Sequence, residues 1–517
     1  MMNSSIGSPE FADSFMVEKL SEFGLAVRYV RAQGNTLYYL ADDGTEVGVL
    51  DGVSGFGSLM FGHNNPEIVE HAKWVLDQQT PVHAQMGGYS FALNLAAELN
   101  AIVRRELGTE DKFYAQFGNT GAEAVEIAIK HAELDRVIRI AGLKGGIEAN
   151  LGQARTAVAG GATLTEAAAA VAGGTDIDRL VAEVSRRNAE VEARPPLFLA
   201  LEGGFHGKLV GSLQLTYNQM LRGPFKALAA QARFVPRDQP HMIAKVMEQE
   251  RAALLDVVVE DGVVDVVERD FPVFTAFVVE PIMGEAGIFP LSAELAGALR
   301  EACDAFGVPL ISDEVQSGMG RAGTFLAGTR IGLRPDYIVL AKALGGGIAK
   351  LGVVLINERL YHKEFEFMHS STFAKDGFST RLALKVLQLL EADGGKAYEL
   401  AAERGAKAKA MMEAIKADYP EIVREVRGEG LMLGFEFHDQ SGSEFPAVRE
   451  MHQAVPLLIL GHMLKKHRFR IARTASGPWT MRFEPSIFLS DDEIAVVDVA
   501  FRDVCEILRS GDLSRFV

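Results

Sequence analysis

Cysteine is nearly missing from these 517 residues: only Cys303 and Cys505 occur. Each falls inside an apolar helical pattern, so a disulfide framework and a thiolate metal site are excluded and two buried core thiols are expected. Basic charge is also short, with Lys+Arg 52 against Asp+Glu 69, and 52 − 69 = −17. Such a chain repels nucleic-acid phosphates and anionic membranes, so neither is expected as a partner. No run of about 18 apolar residues occurs. The start, "MMNSSIGSPEFADSF", lacks a basic stretch followed by an apolar core, so no membrane span and no leader are expected, and the location reads as cytoplasmic. Its "GSPEF" (7–11) reads as a cloning remnant and stays out of the fold reasoning. The 12 histidines show no H-E-x-x-H spacing, and no metal is expected. No internal repeat is evident. What is present is an ordinary folded composition, 48% hydrophobic and 23% charged, in a length that suits a large domain plus a smaller one.

Short runs rich in Val, Ile and Phe recur through the middle: "KFYAQF" (112–117), "LFLALEG" (197–203), "VFTAFVVEP" (273–281), "VPLISDE" (308–314), "DYIVLAK" (336–342) and "GVVLIN" (352–357). They read as buried strands. Amphipathic stretches separate several of them, such as 292–307 with Leu295, Leu299, Cys303 and Phe306 at helical spacing. Strand–helix alternation predicts an α/β fold with a mostly parallel sheet between helices, its ligands beyond the carboxyl ends of the strands. The flanks differ. Residues 28–53 alternate strands around an Asp-Asp-Gly turn, and 431–517 mix short strands ("LMLGFEF", "FRIAR", "TMRFEP") with a closing helix at 490–509. Both chain ends therefore read as sharing a small α/β domain. The expected division is 1–75, the N-terminal segment and part of the small domain; 76–375, the large domain; and 376–517, the rest of the small domain. Within the large domain, 137–196 reads as a helical insertion. Its signals are a capping box from Thr163 to Glu166 and a face of Ile177, Leu180, Val181, Val184 and Val191.

Asp313 in "LISDEVQ" and Lys342 in "YIVLAKALGGG" each end an apolar strand. Asp313 has two readings, a strand-end cap or a fixed partner for a cationic ligand. Lys342 likewise either leaves the strand for solvent or, desolvated, becomes an amine that attacks an aldehyde. "FGNTGAEAVEIAIKHA" (117–132) turns at Asn119, Thr120 and Gly121 into a helix whose first N–H groups suit a phosphate, although an ordinary capped helix shares that pattern. "EGGFHGK" (202–208) follows another strand with Phe205 and His206, residues suited to covering an aromatic ring, unless the Phe is simply core.

In this order, "FGHNNPEI" (61–68), "FGNTGAEAVE", "GGFHGK", "VEPIMGEAGI" (279–288), "ISDEVQSGMGR" (311–321), "AKALGGG", "HSSTF" (369–373) and "MRFEPSI" (481–487) resemble the class III aminotransferases. These are pyridoxal-phosphate (PLP) enzymes of fold type I that include ornithine, acetylornithine and 4-aminobutyrate aminotransferases. The resemblance spans nearly the whole chain apart from the insertion. It implies PLP as cofactor, with Lys342 as the Schiff-base lysine and proton shuttle and Asp313 as the partner of the protonated pyridine nitrogen. It further implies Gln316 at the pyridine 3-oxygen, Gly121 and Ala122 with Thr120 at the phosphate, and Phe205 stacked on the ring with His206 beside it. Thr372 would reach the phosphate of a partner subunit's cofactor, which implies a homodimer with shared sites; an exposed cap is its other reading.

For the substrate, an amino acid or amine, the resemblance points to Arg482 as a carboxylate clamp and Glu285 as its neutralising partner; a structural ion pair is the alternative. Lys208 stands where many relatives carry arginine, and Phe56 where ornithine-type enzymes carry tyrosine. Glu314 reads as supporting its neighbour, and His63 as structural. The expected activity is transfer of an amino group from an amino acid or ω-amine to a keto or aldehyde acceptor. The loop after "HSSTF" departs from the usual Gly-Asn-Pro, giving Lys375, Asp376 and Gly377. That change, the insertion and Phe56 keep a second reading open: decarboxylation, aminomutation, β- or γ-replacement or carbon–carbon bond formation on the same scaffold. A third, a non-catalytic binding protein on this fold, is opposed by the retention of both Lys342 and Asp313.

Overall fold

The computed structural model describes residues 12–41, 43–83 and 90–516; "GSPEF" and Asp42, the first aspartate of the Asp-Asp-Gly turn, lie outside them. The six apolar runs form the strands Phe113–Gly118, Leu197–Leu201, Phe274–Val279, Leu310–Asp313, Tyr337–Leu340 and Gly352–Asn357. Four of them, from Phe274–Val279 onward, are buried at every residue, as strands covered on both faces must be. With the edge strand Ala232–Val235 they make a seven-stranded sheet, ordered by first residue 113, 352, 337, 310, 274, 197, 232. Gly352–Asn357 runs antiparallel to both neighbours, and every other pairing is parallel. On one face Val339, Val354 and Ala276 pack with Ala124, Val125 and Ala128 of the helix Gly121–Ala159. On the other, Leu340, Val353 and Leu355 belong to a core shared with Leu382 and Val386 of Gly377–Glu391. The expected mostly parallel α/β layering is what the chain forms.

Segments from near both chain ends pair. Tyr29–Gln33, Thr36–Leu40 and Glu46–Asp51 form an antiparallel meander, and the last of these pairs in parallel with Phe469–Arg470, Leu50 opposite Phe469. A second sheet joins Val423–Glu429, Met432–Phe437, Thr480–Phe483 and Ala472–Arg473. The closing helix Asp491–Ser510 starts on a capping box of Ser490 and Glu493, which satisfies two backbone donors reciprocally.

The segment 137–196 needs correcting in two respects. Its first third is no separate unit: the helix that opens at Gly121 runs unbroken for 39 residues to Ala159. Nor does Thr163 cap a helix. It lies in the strand Thr163–Leu164, and Thr165 is the cap, its hydroxyl accepting Ala168 N–H at 3.1 Å. The helix Ile177–Glu192 does present the expected face, with Leu180, Val181 and Val184 buried. What covers that face is a long hairpin, Ala252–Glu260 with Val263–Phe271, which also pairs with Thr163–Leu164. Asp256 fastens the two parts, its carboxylate accepting Asn150 Nδ2 at 3.0 and 3.1 Å and Arg269 Nε at 3.1 Å. Helix and hairpin thus form one body, whose core continues into the seven-stranded sheet through Leu199 and Val235 and onward to Leu295.

Candidate active site

Asp313 is the last residue of its strand and lies opposite Val339 in parallel register; Lys342 follows two residues after the end of Tyr337–Leu340. Parallel pairing therefore delivers both side chains to one carboxyl edge. They line a cavity of about 400 Å³ with Gly121, Ala122, Phe205, His206, Lys208, Glu280 and Gln316. The helix Gly121–Ala159 opens onto the same space. Thr120 caps it, its hydroxyl accepting Glu123 N–H at 3.1 Å and its carbonyl accepting Ala124 N–H at 3.0 Å. The N–H groups of Gly121 and Ala122 belong to the first helical turn, whose donors have no acceptor within the helix. Two glycines let backbone come close here. A Cβ on Gly352 would overlap the Thr120 carbonyl, and one on Gly207, at φ 122°, would sit 2.8 Å from Ala122 Cβ.

Asp313 is buried and held by two contacts: Oδ1 accepts Val315 N–H at 3.1 Å, and Oδ2 lies 2.9 Å from His206 Nδ1. Burial works against a charged His206, but the hydrogen bond and charge of Asp313 outweigh it and raise its pKa. Beneath them Glu280 accepts Phe205 N–H at 2.9 Å and Gly284 N–H at 3.1 Å, so it fixes the backbone that carries the aromatic ring. Burial lifts the Glu280 carboxyl to about 7.

Lys342 has φ 44°, the left-handed region that a side chain enters at a cost. Desolvation lowers its ammonium pKa, with Arg482 adding to the lowering and Glu484, Glu285 and Asp313 opposing it. The amine is therefore easier to neutralise than a surface lysine. An amine of this kind, a pinned carboxylate, free helix-terminal donors and a cavity with a phenyl wall fit the aldehyde, the ring nitrogen, the phosphate and the ring of PLP.

Beyond the cavity, Arg482 is buried and pairs with Glu285 at 2.5 Å, while Phe56 lies over its guanidinium at 5.2 Å. The Arg482 charge and hydrogen bond overcome burial and lower the Glu285 pKa. Phe56 is itself at φ 56°, and Lys208 is exposed at the cavity mouth. Thr120 does not line this cavity and is placed as the helix cap, while Thr372, expected at a partner subunit's cofactor, lies in an exposed turn. Glu314 points away, accepting Ser317 Oγ, Ala327 N–H and Gly328 N–H, and His63 pairs with Asp51 at 2.8 Å, a structural use. Sequence reasoning misses Glu280 and Glu484. Glu280 sits in "VEPIMGEAGI", where a glutamate closing a buried strand is a signal that could have found it. Glu484 has a weaker signal, because Arg482 breaks the apolar run before it.

A family model described as aminotransferase class-III matches residues 21–504. Among solved structures, an amine transaminase from an uncultivated Pseudomonas species with PLP bound is 21% identical, TM-score 0.66, over 93% of this chain and 94% of that one. The ornithine aminotransferase of Toxoplasma gondii is 18% identical, TM-score 0.66, over 96% of each. A taurine:2-oxoglutarate aminotransferase from Bifidobacterium kashiwanohense, in complex with PLP and glutamate, is 16% identical, TM-score 0.66, over 95% and 94%. At these identities the three structures establish a shared fold.

Proposed function

The chain belongs to the class III aminotransferases and transfers amino groups with PLP, and we propose that Lys342 and Asp313 do so on an amino acid or ω-amine donor and a keto or aldehyde acceptor. When bound, PLP supplies an aldehyde that condenses with amines and a ring that accepts electrons from the donor's Cα–H bond. Asp313, fixed by Val315 and His206, holds the ring nitrogen protonated. Gly121 and Ala122 give backbone N–H donors to the phosphate, Phe205 covers the ring with His206 at its edge, and Gln316 faces the ring's oxygen. Lys342 would hold the aldehyde and, once a donor amine had replaced it, its free amine would be the group that takes the Cα proton and gives it back, so one side chain would be base and then acid. Arg482 is closed by Glu285 until a carboxylate competes for it. Phe56 and Lys208 border the substrate's entry. Thr372 serves a partner subunit's site in a homodimer, a reading supported by its exposed turn beside apolar surface. The non-transaminating alternative finds no support in the family match. For the chain's division we propose 1–75, 76–375 and 376–517.

The observation carrying this assignment is the convergence of Lys342, Asp313 and the Gly121 helix terminus on one cavity. The protein is mixed with PLP and its visible spectrum followed as amino acids and ω-amines are added one at a time. A visible band that is bleached by a donor and restored by a keto acid is expected, and Lys342→Ala should give neither. A band that survives Lys342→Ala unchanged would overturn the assignment.

A further inference from the structure

Glu484 follows the strand Thr480–Phe483 directly, and its side chain is closed off from solvent. A carboxylate at that depth is costly unless its oxygens find partners. Oε1 accepts Gln316 Nε2 at 2.8 Å. Oε2 makes no hydrogen bond among the described residues and lies 4.0 Å from Arg482 Nη1. The backbone around it is pinned. Glu484 N–H donates to Gly52 O at 2.7 Å, and the buried Arg321 donates to the carbonyls of Pro485 and Gly57. With Glu484 fixed in this way, Gln316 is the partner that adapts.

A primary amide has a donor end and an acceptor end of almost the same shape, so packing alone does not choose between them. A carboxylate does choose, because only the NH2 end can pair with it. The carbonyl of Gln316 then turns toward Gly284, where the lack of a Cβ makes room for it. The NH2 group has a second hydrogen, and Gln316 lines the cavity that Lys342 and Asp313 share.

We infer that Glu484 is a positioning residue: by accepting one N–H of Gln316 it fixes the amide so that a donor, and not the carbonyl, is offered to the ring oxygen of the cofactor. This rests on the placement of PLP proposed above. An anionic ring oxygen is stabilised by a donor and repelled by a carbonyl lone pair, so an amide free to rotate would serve it less well. Glu484 also opposes the lowering of the Lys342 pKa directly through its charge, so the test separates reach from charge.

Glu484→Asp keeps the charge and withdraws the carboxylate by one methylene; Glu484→Gln keeps the reach and an acceptor oxygen but loses the charge. Both are small changes in a buried site. Two quantities are read: the pH midpoint at which the holoenzyme's visible band changes, and the affinity of the protein for PLP by equilibrium dialysis. Glu484→Asp should raise the midpoint by about half a unit or more and weaken PLP binding about 3- to 10-fold, the worth of one hydrogen bond. Glu484→Gln brings an amide that can present either end to Gln316, so it should weaken PLP binding by a similar factor. In a Gln316→Ala background the Glu484→Asp effect should vanish. Wild-type PLP affinity in either variant, or an effect of Glu484→Asp that persists without Gln316, overturns the inference. A wild-type protein with no visible band overturns the cofactor placement as well, whereas a normal band with an unmoved midpoint in Glu484→Asp overturns the inference alone.

Discussion

At the residue scale, the buried ionisable groups around the site differ in what they hold. Arg321 is fully buried, and burial lowers its pKa to about 10, against the raising charge of Glu484. Its guanidinium reaches Leu431 O at 3.4 Å, Gly57 O at 3.2 Å and the Pro485 carbonyl, three separate segments of the chain. Arg321→Ala removes the donors for three carbonyls and leaves a hole; a loss of about 3–5 kcal/mol in urea unfolding is expected. Glu314 tests the sign of a carboxyl shift. Burial lifts it to about 7 from 4.5, although Gly328, Ala327 and Ser317 pull the other way. With the folded-state value above the unfolded one, the native chain holds an extra proton between about 4.5 and 7. The group's contribution is complete below about 4.5 and is lost as pH rises through about 7. Unfolding free energy should therefore fall across that window by on the order of 3 kcal/mol more in wild type than in Glu314→Gln. Equal slopes for the two proteins would sink this assignment.

At the scale of elements, the helix Gly121–Ala159 has two duties. Its first turn presents donors to the cavity, and its far end packs in the insertion through Ile147, Leu151 and Ala154. Deleting 140–192 would cut this helix and strip the hairpin 252–271 of its cover, so a point change separates the duties better. Leu180→Ala empties a fully buried position and should cost about 2–5 kcal/mol. The visible band with PLP should keep its intensity, because Leu180 belongs to a core distinct from that of the first helical turn. Thermal unfolding and absorbance on one sample check both halves. Asp313 and Lys342 are legible in the sequence because each is the end of a continuous apolar run, a local pattern that parallel pairing converts into proximity. The hairpin escapes sequence reasoning although Asp261-Gly262, both at positive φ between Val-rich runs, is the strongest short-range hairpin signal. Acidic residues interrupting those runs mask their alternation. Thr163 rather than Thr165 reads as the cap because a capping box is a spacing rule, while strand pairing with Val263–Phe271 removes Thr163 from the helix. Glu484 is less legible for another reason. Its partner Gln316 is 168 residues away, and only the tertiary fold makes a surface-type residue into a buried one.

At the scale of the whole molecule, surface and charge bear on assembly. Leu76, Val82, Ile348 and Phe373 are exposed side by side around a groove of about 670 Å³, next to the turn that holds Thr372. An apolar patch of this kind marks a contact surface, and the proposed homodimer gives it an occupant. Each subunit also carries a net charge of −17, so two copies repel one another as they close. Screening shortens that repulsion from roughly 30 Å at 0.01 M salt to about 3 Å at 1 M, while apolar burial is not weakened by it. Association should therefore tighten as salt is raised, the reverse of an interface built on ion pairs. Phe373→Asp should weaken association at every salt concentration by putting a charge into the apolar contact. Thr372→Ala should leave the assembly intact and lower its affinity for PLP. Sedimentation velocity across a salt series reads the first two, and dialysis against PLP the third. A dimer that dissociates with added salt would place the contact on some other, charged surface of the molecule.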